Sequence, residues 1–208
     1  MTSAPAYQGT AGECEFDAEY YACTGNNYRQ RTEFVLANLW RAAYIRTALN
    51  PGTVLDAGGG MGLLMERLQN WGCGAIGLEI SHYAILESPP VVQRCFVQGS
   101  MAELPFASDA VETVASVNVL EHLWPEDVTQ ALRECARVAR QSMYLEITVL
   151  EDASVIHRDP THRTKLRARE WLQLLRETLP DWRSLRGLHV PYYKNGIFIL
   201  TRSREALT

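Results

Sequence analysis

No run of apolar residues in this 208-residue chain approaches the eighteen or so that a membrane-spanning helix needs, so no membrane span is expected. The N-terminal stretch MTSAPAYQGTAGECEFDAEY has no basic segment followed by an apolar one. No secretion signal is read there, and the expected location is cytoplasmic. Cysteine is sparse: five residues, an odd number, with no Cys-x-x-Cys spacing. That argues against a disulfide framework and leaves free thiols as the simplest reading. Basic charge is also in short supply, with 20 Lys and Arg against 24 Asp and Glu, a net charge of −4 and a pI near 5.8. Electrostatic capture of nucleic acid is therefore not indicated, and nucleic acid is not an expected partner. There is no internal repeat and no second domain. What the chain does have is 47% hydrophobic residues, enough for one globular domain with a sizeable core.

The informative stretch is Thr-Val-Leu-Asp-Ala-Gly-Gly-Gly-Met-Gly at residues 53–62. Val54 and Leu55 suit a buried central strand. Asp56 closes it, and Gly58, Gly59, Gly60 and Gly62 lead into a helical run, LLMERLQNW. Strand, glycine loop and helix mark the start of an α/β ligand site, where glycines admit unusual dihedrals and let a ligand reach bare backbone. A dinucleotide fingerprint needs Gly-x-Gly-x-x-Gly, but the last position falls on Leu63 when counted from Gly58 and on Met65 when counted from Gly60. Asp56 would also repel a pyrophosphate, whereas it would attract a cationic ligand. A second strand over residues 75–79 ends in Glu79, 23 residues after Asp56. A carboxylate there can accept two hydrogen bonds from a ribose diol, or it can cap the next helix at residues 81–87.

The spacing Asp-x-Gly-x-Gly-x-Gly at Asp56, Gly58, Gly60 and Gly62 resembles motif I of the class I S-adenosylmethionine-dependent methyltransferases. Leu104-Pro105-Phe106 is similar to that family's LPF segment, and Val119-Leu120-Glu121-His122-Leu123 to its motif IV. The resemblance covers residues 50–203, is strongest over 53–123, and extends to bacterial methyltransferases that act on sugars and natural products. It implies a Rossmann-like three-layer α/β sandwich with a mostly parallel seven-stranded sheet and an antiparallel C-terminal strand. Residues 51–208 would form the methyltransferase domain, and residues 1–50 a flexible tail with an N-terminal helical cover. The implied cofactor is S-adenosylmethionine, with S-adenosylhomocysteine as product. Besides the glycine loop and Glu79, the implied cofactor contacts are Ile80, Ser100, Met101, Ala102, Asn118 and Leu120. The family commonly has an acidic residue where Ser100 stands.

Secondary structure is expected as a helix over residues 29–49, with Phe34, Leu36, Leu39, Trp40 and Tyr44 on its apolar stripe and Arg41 facing partly outward. Strands follow at 91–97, 111–117 and 142–149, a helix at 168–178, and two closing strands at 183–189 and 196–200. Before the first strand, Tyr20, Tyr21 and Tyr28 either cover a pocket or pack an N-terminal helix on the sheet edge. The segment after residue 149 carries His157, Asp159 and His162 within six residues. Loops on a rigid sheet often hold chemistry, and neutral imidazole is the usual base near pH 7. The candidate catalytic groups are therefore His162, then His157, then His122, with Asp159 in support. Tyr20, Tyr21, Tyr28, Glu121, His157, Asp159 and His162 are the candidate acceptor contacts. Asp159-Pro160-Thr161-His162 also reads simply as a turn and helix cap.

A sulfonium methyl is already activated, so the protein must align the acceptor, and a hydroxyl acceptor additionally needs a base. The histidine-bearing loop favours O-methylation of a small polar metabolite, sugar or natural product. Three alternatives remain at this level: N-methylation of a small amine, RNA 2′-O-methylation with a metal site, and a non-catalytic cofactor-binding partner subunit. No resident metal is expected.

Overall fold

The computed structural model describes residues 16–23, 32–152, 159–186 and 196–202. Strand Thr53–Ala57 (β1) lies at the centre because Val54, Leu55 and Ala57 are fully buried, one side chain after another pointing into opposite layers. It pairs in parallel with Gly74–Glu79 (β2) on one side and Val111–Val117 (β4) on the other. Phe96–Gln98 (β3) extends the sheet beyond β2, and Ala139–Ile147 (β5) extends it beyond β4, again in parallel. Gly196–Arg202 (β7) then runs antiparallel to β5, and Trp182–Arg186 (β6) antiparallel to β7. The seven-stranded order is β3-β2-β1-β4-β5-β7-β6. This is the mostly parallel, Rossmann-like sheet expected from the sequence, with its antiparallel element at the C-terminal end.

Helices cover both faces. On one lie Pro125–Val138 (α6) and Ala168–Thr178 (α7), which bury Val128, Leu132, Cys135, Trp171 and Leu175 against β4 and β5. Pro125 occupies the first turn of α6, where its missing N–H costs nothing, and Glu126 and Asp127 sit at the positive end of the helix dipole. On the other face lie Thr32–Tyr44 (α2), its π-helical continuation Ile45–Leu49, and Leu63–Asn70 (α3). Ala42, Ile45, Leu64, Met65 and Leu68 pack there with Val54. Ala18–Cys23 (α1) precedes them at the rim of the sheet.

Two sequence expectations need correction. Residues 91–97 are not one strand: Pro90 starts a short helix, Pro90–Gln93 (α5), and only Phe96–Gln98 joins the sheet. Proline pre-sets the dihedral of a first helical residue, so it begins a helix as readily as it ends one. The buried face of α2 also differs. Leu36 is 59% exposed, while Arg41 is 3% exposed. Arg41 goes inward because Glu146 at the end of β5 meets it with two bonds, Nε to Oε2 at 2.8 Å and Nη2 to Oε1 at 2.6 Å. A buried guanidinium persists only with such a partner. The hydroxyl of Tyr144 donates to the same carboxylate at 2.9 Å. The thiols of Cys73, Cys95 and Cys135 are free.

Candidate functional site

Strand order reverses between β1 and β4, and in such sheets the crevice opens beyond the strands' carboxyl ends at that point. A cavity lies there. The loop after β1 forms its floor. Gly58 and Gly59 anchor the loop by donating to the carbonyl of Leu78, at 2.8 and 3.0 Å. Gly58 has φ +79°, and a Cβ there would stand 2.3 Å from Cγ2 of Val119, so only glycine fits. Gly60 has φ +52° with open space around it, and its N–H reaches Oε2 of Glu79 at 2.7 Å. The other oxygen of Glu79 accepts from the Ser81 N–H at 2.8 Å. Ser81 in turn caps the short helix His82–Leu86 (α4), its Oγ accepting from the Ala84 N–H.

Asp56 is 2% exposed, faces the cavity, and has an Oδ2 without any hydrogen-bond partner. Burial, then the charge of Glu79, pushes its carboxyl from 3.8 up to about 7, against the pull of Arg41. Burial raises Glu79 as well, opposed by its backbone donors. Two carboxyls held out of water and not fully satisfied make this end of the cavity suited to a cation and a hydroxyl donor, and unsuited to phosphate.

The segment around α1 forms a roof. The ring of Phe16 meets Tyr20 edge-on at 5.0 Å and His122 at 5.5 Å. The hydroxyl of Ser81 donates to the carbonyl of Phe16, and the hydroxyl of Tyr20 donates to Oδ2 of Asp159 at 3.1 Å. These two bonds tie the roof to both sides of the cavity. His122 comes from the 3-10 turn Leu120–His122 that follows β4. Its Nδ1 lies 2.8 Å from Oγ1 of Thr161, whose hydroxyl donates to Oδ1 of Asp159 at 2.5 Å. Burial, then the charge of His162, lowers His122 from 6.5 to about 4, so it is neutral near pH 7. Burial alone would raise Asp159. The Thr161 hydrogen bonds and the two imidazoles outweigh it and hold this carboxyl below its usual range.

Most of the cofactor candidates converge on this cavity. Asp56, Gly58, Gly59, Gly60 and Glu79 line it, as do Ile80, Ser100, Met101 and Asn118. Gly62, Ala102 and Leu120 do not line it. Gly62 instead begins α3 with φ +74°, and Leu120 is 1% exposed in the core. Among the acceptor candidates Tyr20 and Tyr21 line the cavity, and among the catalytic candidates His122 does. His162 stands behind His122, ring centroids 4.6 Å apart, and Asp159 is linked to it through Thr161. Glu121 is fully buried: its Oε1 accepts from the Thr148 N–H at 2.9 Å, its Oε2 is unpartnered, and burial raises it to about 7. Tyr28 and His157 lie outside the described residues. Glu121, His122 and His162 bring one carboxylate oxygen and two ring nitrogens within 4.8 Å of one another, a spacing that could accommodate a cation. The nearby guanidinium of Arg163 pushes His122 further toward neutrality and opposes a cation there. Sequence reading missed Phe16, Asn38, Arg41 and Thr161. Only Thr161, beside two candidates, carried a signal that could have found it.

Residues 55–147 match the methyltransferase domain family. That segment of the chain is a methyltransferase domain. An uncharacterized methyltransferase of Mycobacterium sp. (strain KMS) is 35% identical over 112 residues, 52% of this chain and 42% of the relative. The chain thus spans less than half the length of the curated relatives it matches. Among solved structures, magnesium protoporphyrin IX methyltransferase from Synechocystis PCC 6803 with bound SAH has a TM-score of 0.68 at 20% identity, over 89% of this chain and 97% of its own. The Burkholderia thailandensis 1,6-didemethyltoxoflavin-N1-methyltransferase has a TM-score of 0.64 at 18% identity, over 96% and 94%. These structures share the fold. The methyltransferase cavity described above also fits S-adenosylmethionine chemically. The orphaned Asp56 Oδ2 suits an ammonium group, Glu79 has lone pairs left for a diol, and the bare backbone at Gly60 admits close approach.

Proposed function

We propose that this domain O-methylates a small, polar, hydroxyl-bearing metabolite of the sugar or natural-product class. The observation that carries this reading is the placement of the His122 ring in the cavity lining, edge-on to both Phe16 and Tyr20 of the roof. S-adenosylmethionine, when bound, supplies a methyl group already activated on a sulfonium centre. The rest falls to the chain. Asp56 and Glu79 hold the cofactor end, and the loop at Gly58–Gly60 fixes its depth. Phe16, Tyr20 and Tyr21 enclose the acceptor, exclude water and orient it for in-line transfer. A roof tied at Ser81 and at Asp159 favours an acceptor small enough to be enclosed over a polymer, and two fold neighbours are named for small-molecule acceptors. Asn118, Glu121, Asp159 and His162 shape and polarise the acceptor end.

The test is incubation of the purified chain with methyl-labelled S-adenosylmethionine and matched panels of hydroxyl and amine metabolites, read by accurate mass. Transfer to hydroxyl compounds is expected. Transfer to amines alone, or to RNA alone, would refute the reading.

A further inference from the structure

We propose that His122 is the base that takes the acceptor's proton, through Nε2, and that Thr161 and Asp159 are positioning residues that fix its tautomer. This rests on the O-methylation reading above. The argument is one of hydrogen counting. Thr161 has a single hydroxyl hydrogen, and it points to Oδ1 of Asp159 at 2.5 Å, an oxygen that also accepts the Thr161 N–H at 2.9 Å. An ionised carboxylate offers no proton in return. The Thr161 oxygen can then only accept from Nδ1 of His122, 2.8 Å away. In a neutral imidazole one nitrogen carries the hydrogen and the other the lone pair. With hydrogen on Nδ1, the lone pair sits on Nε2 of a ring that lines the cavity. His162 stands behind this ring and is not among the cavity-lining residues, so it supports His122 rather than facing the acceptor.

The bond changes balance without any further reactant. The acceptor oxygen bonds the methyl carbon as the carbon–sulfur bond breaks, and that electron pair stays on sulfur. The hydroxyl proton passes to Nε2. A buried imidazole of low basicity suffices, because a hydroxyl oxygen that is gaining a methyl group becomes a far stronger acid than imidazolium. The new positive charge on His122 then faces Asp159 through Thr161. The other groups packed around this ring are Glu121 on its own turn, His162 and Arg163 on the facing loop, and the phenol of Tyr20 on the roof.

Nitrogen-15 NMR of the His122 ring reads the tautomer directly and does not depend on turnover. Wild type should show a protonated Nδ1 and an unprotonated Nε2. Thr161→Val keeps the shape but removes the hydroxyl. It should lose that tautomer preference and lower kcat by about 10²-fold, with unchanged affinity for S-adenosylhomocysteine. Thr161→Ser restores the hydroxyl and should recover both the tautomer and most of kcat. A wild-type ring protonated on Nε2 would overturn the relay whatever the acceptor is. Unchanged kcat in Thr161→Val, or activity lost on chelation and restored by a divalent metal, would overturn the base. Transfer to amines alone with the Nδ1 tautomer intact would overturn the base together with the O-methylation reading, while leaving the relay in place.

Discussion

Replacing Asp56 with Asn should stabilise the ligand-free protein in alkaline buffer and weaken the cofactor site at the same time. Asp56 is buried with one oxygen unpartnered, and its carboxyl moves from an ordinary 3.8 up to about 7. Because the folded value is raised, the folded state holds an extra proton between about pH 4 and pH 7. The associated stability is complete below the lower value and is lost as pH rises through about 7. Keeping the group ionised at pH 8.5 costs about 4 kcal/mol, at 1.36 kcal/mol per tenfold change in proton affinity. Asn removes that cost but introduces an amide with unmet donors, which returns about 1–3 kcal/mol. The net gain at pH 8.5 is then about 1–3 kcal/mol, or a rise of several degrees in Tm for a chain of this size. At pH 5, where Asp56 is neutral, the gain should vanish or reverse.

Cofactor binding supplies the complementary reading. An ammonium group against Oδ2 favours the carboxylate, so binding near pH 6.5 should release a proton. Isothermal titration with S-adenosylhomocysteine in two buffers of different ionisation enthalpy measures that release, and Asp56→Asn should abolish most of it. A Tm difference that is the same at pH 5 and pH 8.5, with equal proton release in both proteins, would refute this account of Asp56.

Four further substitutions have outcomes that the geometry fixes. Arg41→Met leaves the Glu146 carboxylate buried against Tyr144 without its guanidinium and should cost about 3–5 kcal/mol in denaturant melts, whereas the pair Arg41→Met with Glu146→Leu should recover much of it. Gly58→Ala meets Val119 at 2.3 Å and should lower Tm by several degrees. Gly60→Ala has open space but keeps φ +52°, so it should cost about 1–2 kcal/mol of left-handed backbone strain as well as weakening cofactor affinity in titration. Tyr20→Phe removes the bond to Asp159 and should raise the acceptor KM several-fold, leaving S-adenosylhomocysteine affinity within twofold.

What the sequence made legible was the part whose chemistry is local. Asp56 and the glycines after it, Glu79 at the end of β2, and His122 after β4 are each read from a strand and the few residues beyond it. A parallel sheet carries all such strand ends to one edge, so finding the strands places the site. The less legible parts are long-range. Arg41 reads as a charge on an amphipathic helix until Glu146, 105 residues away, is brought beneath it. Thr161 reads as part of a turn until His122 is brought to its hydroxyl across 39 residues. In both cases the deciding fact is a hydrogen-bond partner supplied by another element, and no periodicity or spacing along the chain encodes it. The same reason separates His122 from His162. As residue types in suspicious segments they are equivalent, and the loop position favoured His162. Packing makes them different: one ring reaches the cavity with its Nδ1 hydrogen bonded to Thr161, and the other lies behind it. Which imidazole can meet an acceptor therefore depends on which ring lines the cavity, a property that exists only once residues 159–162 have packed on the turn after β4.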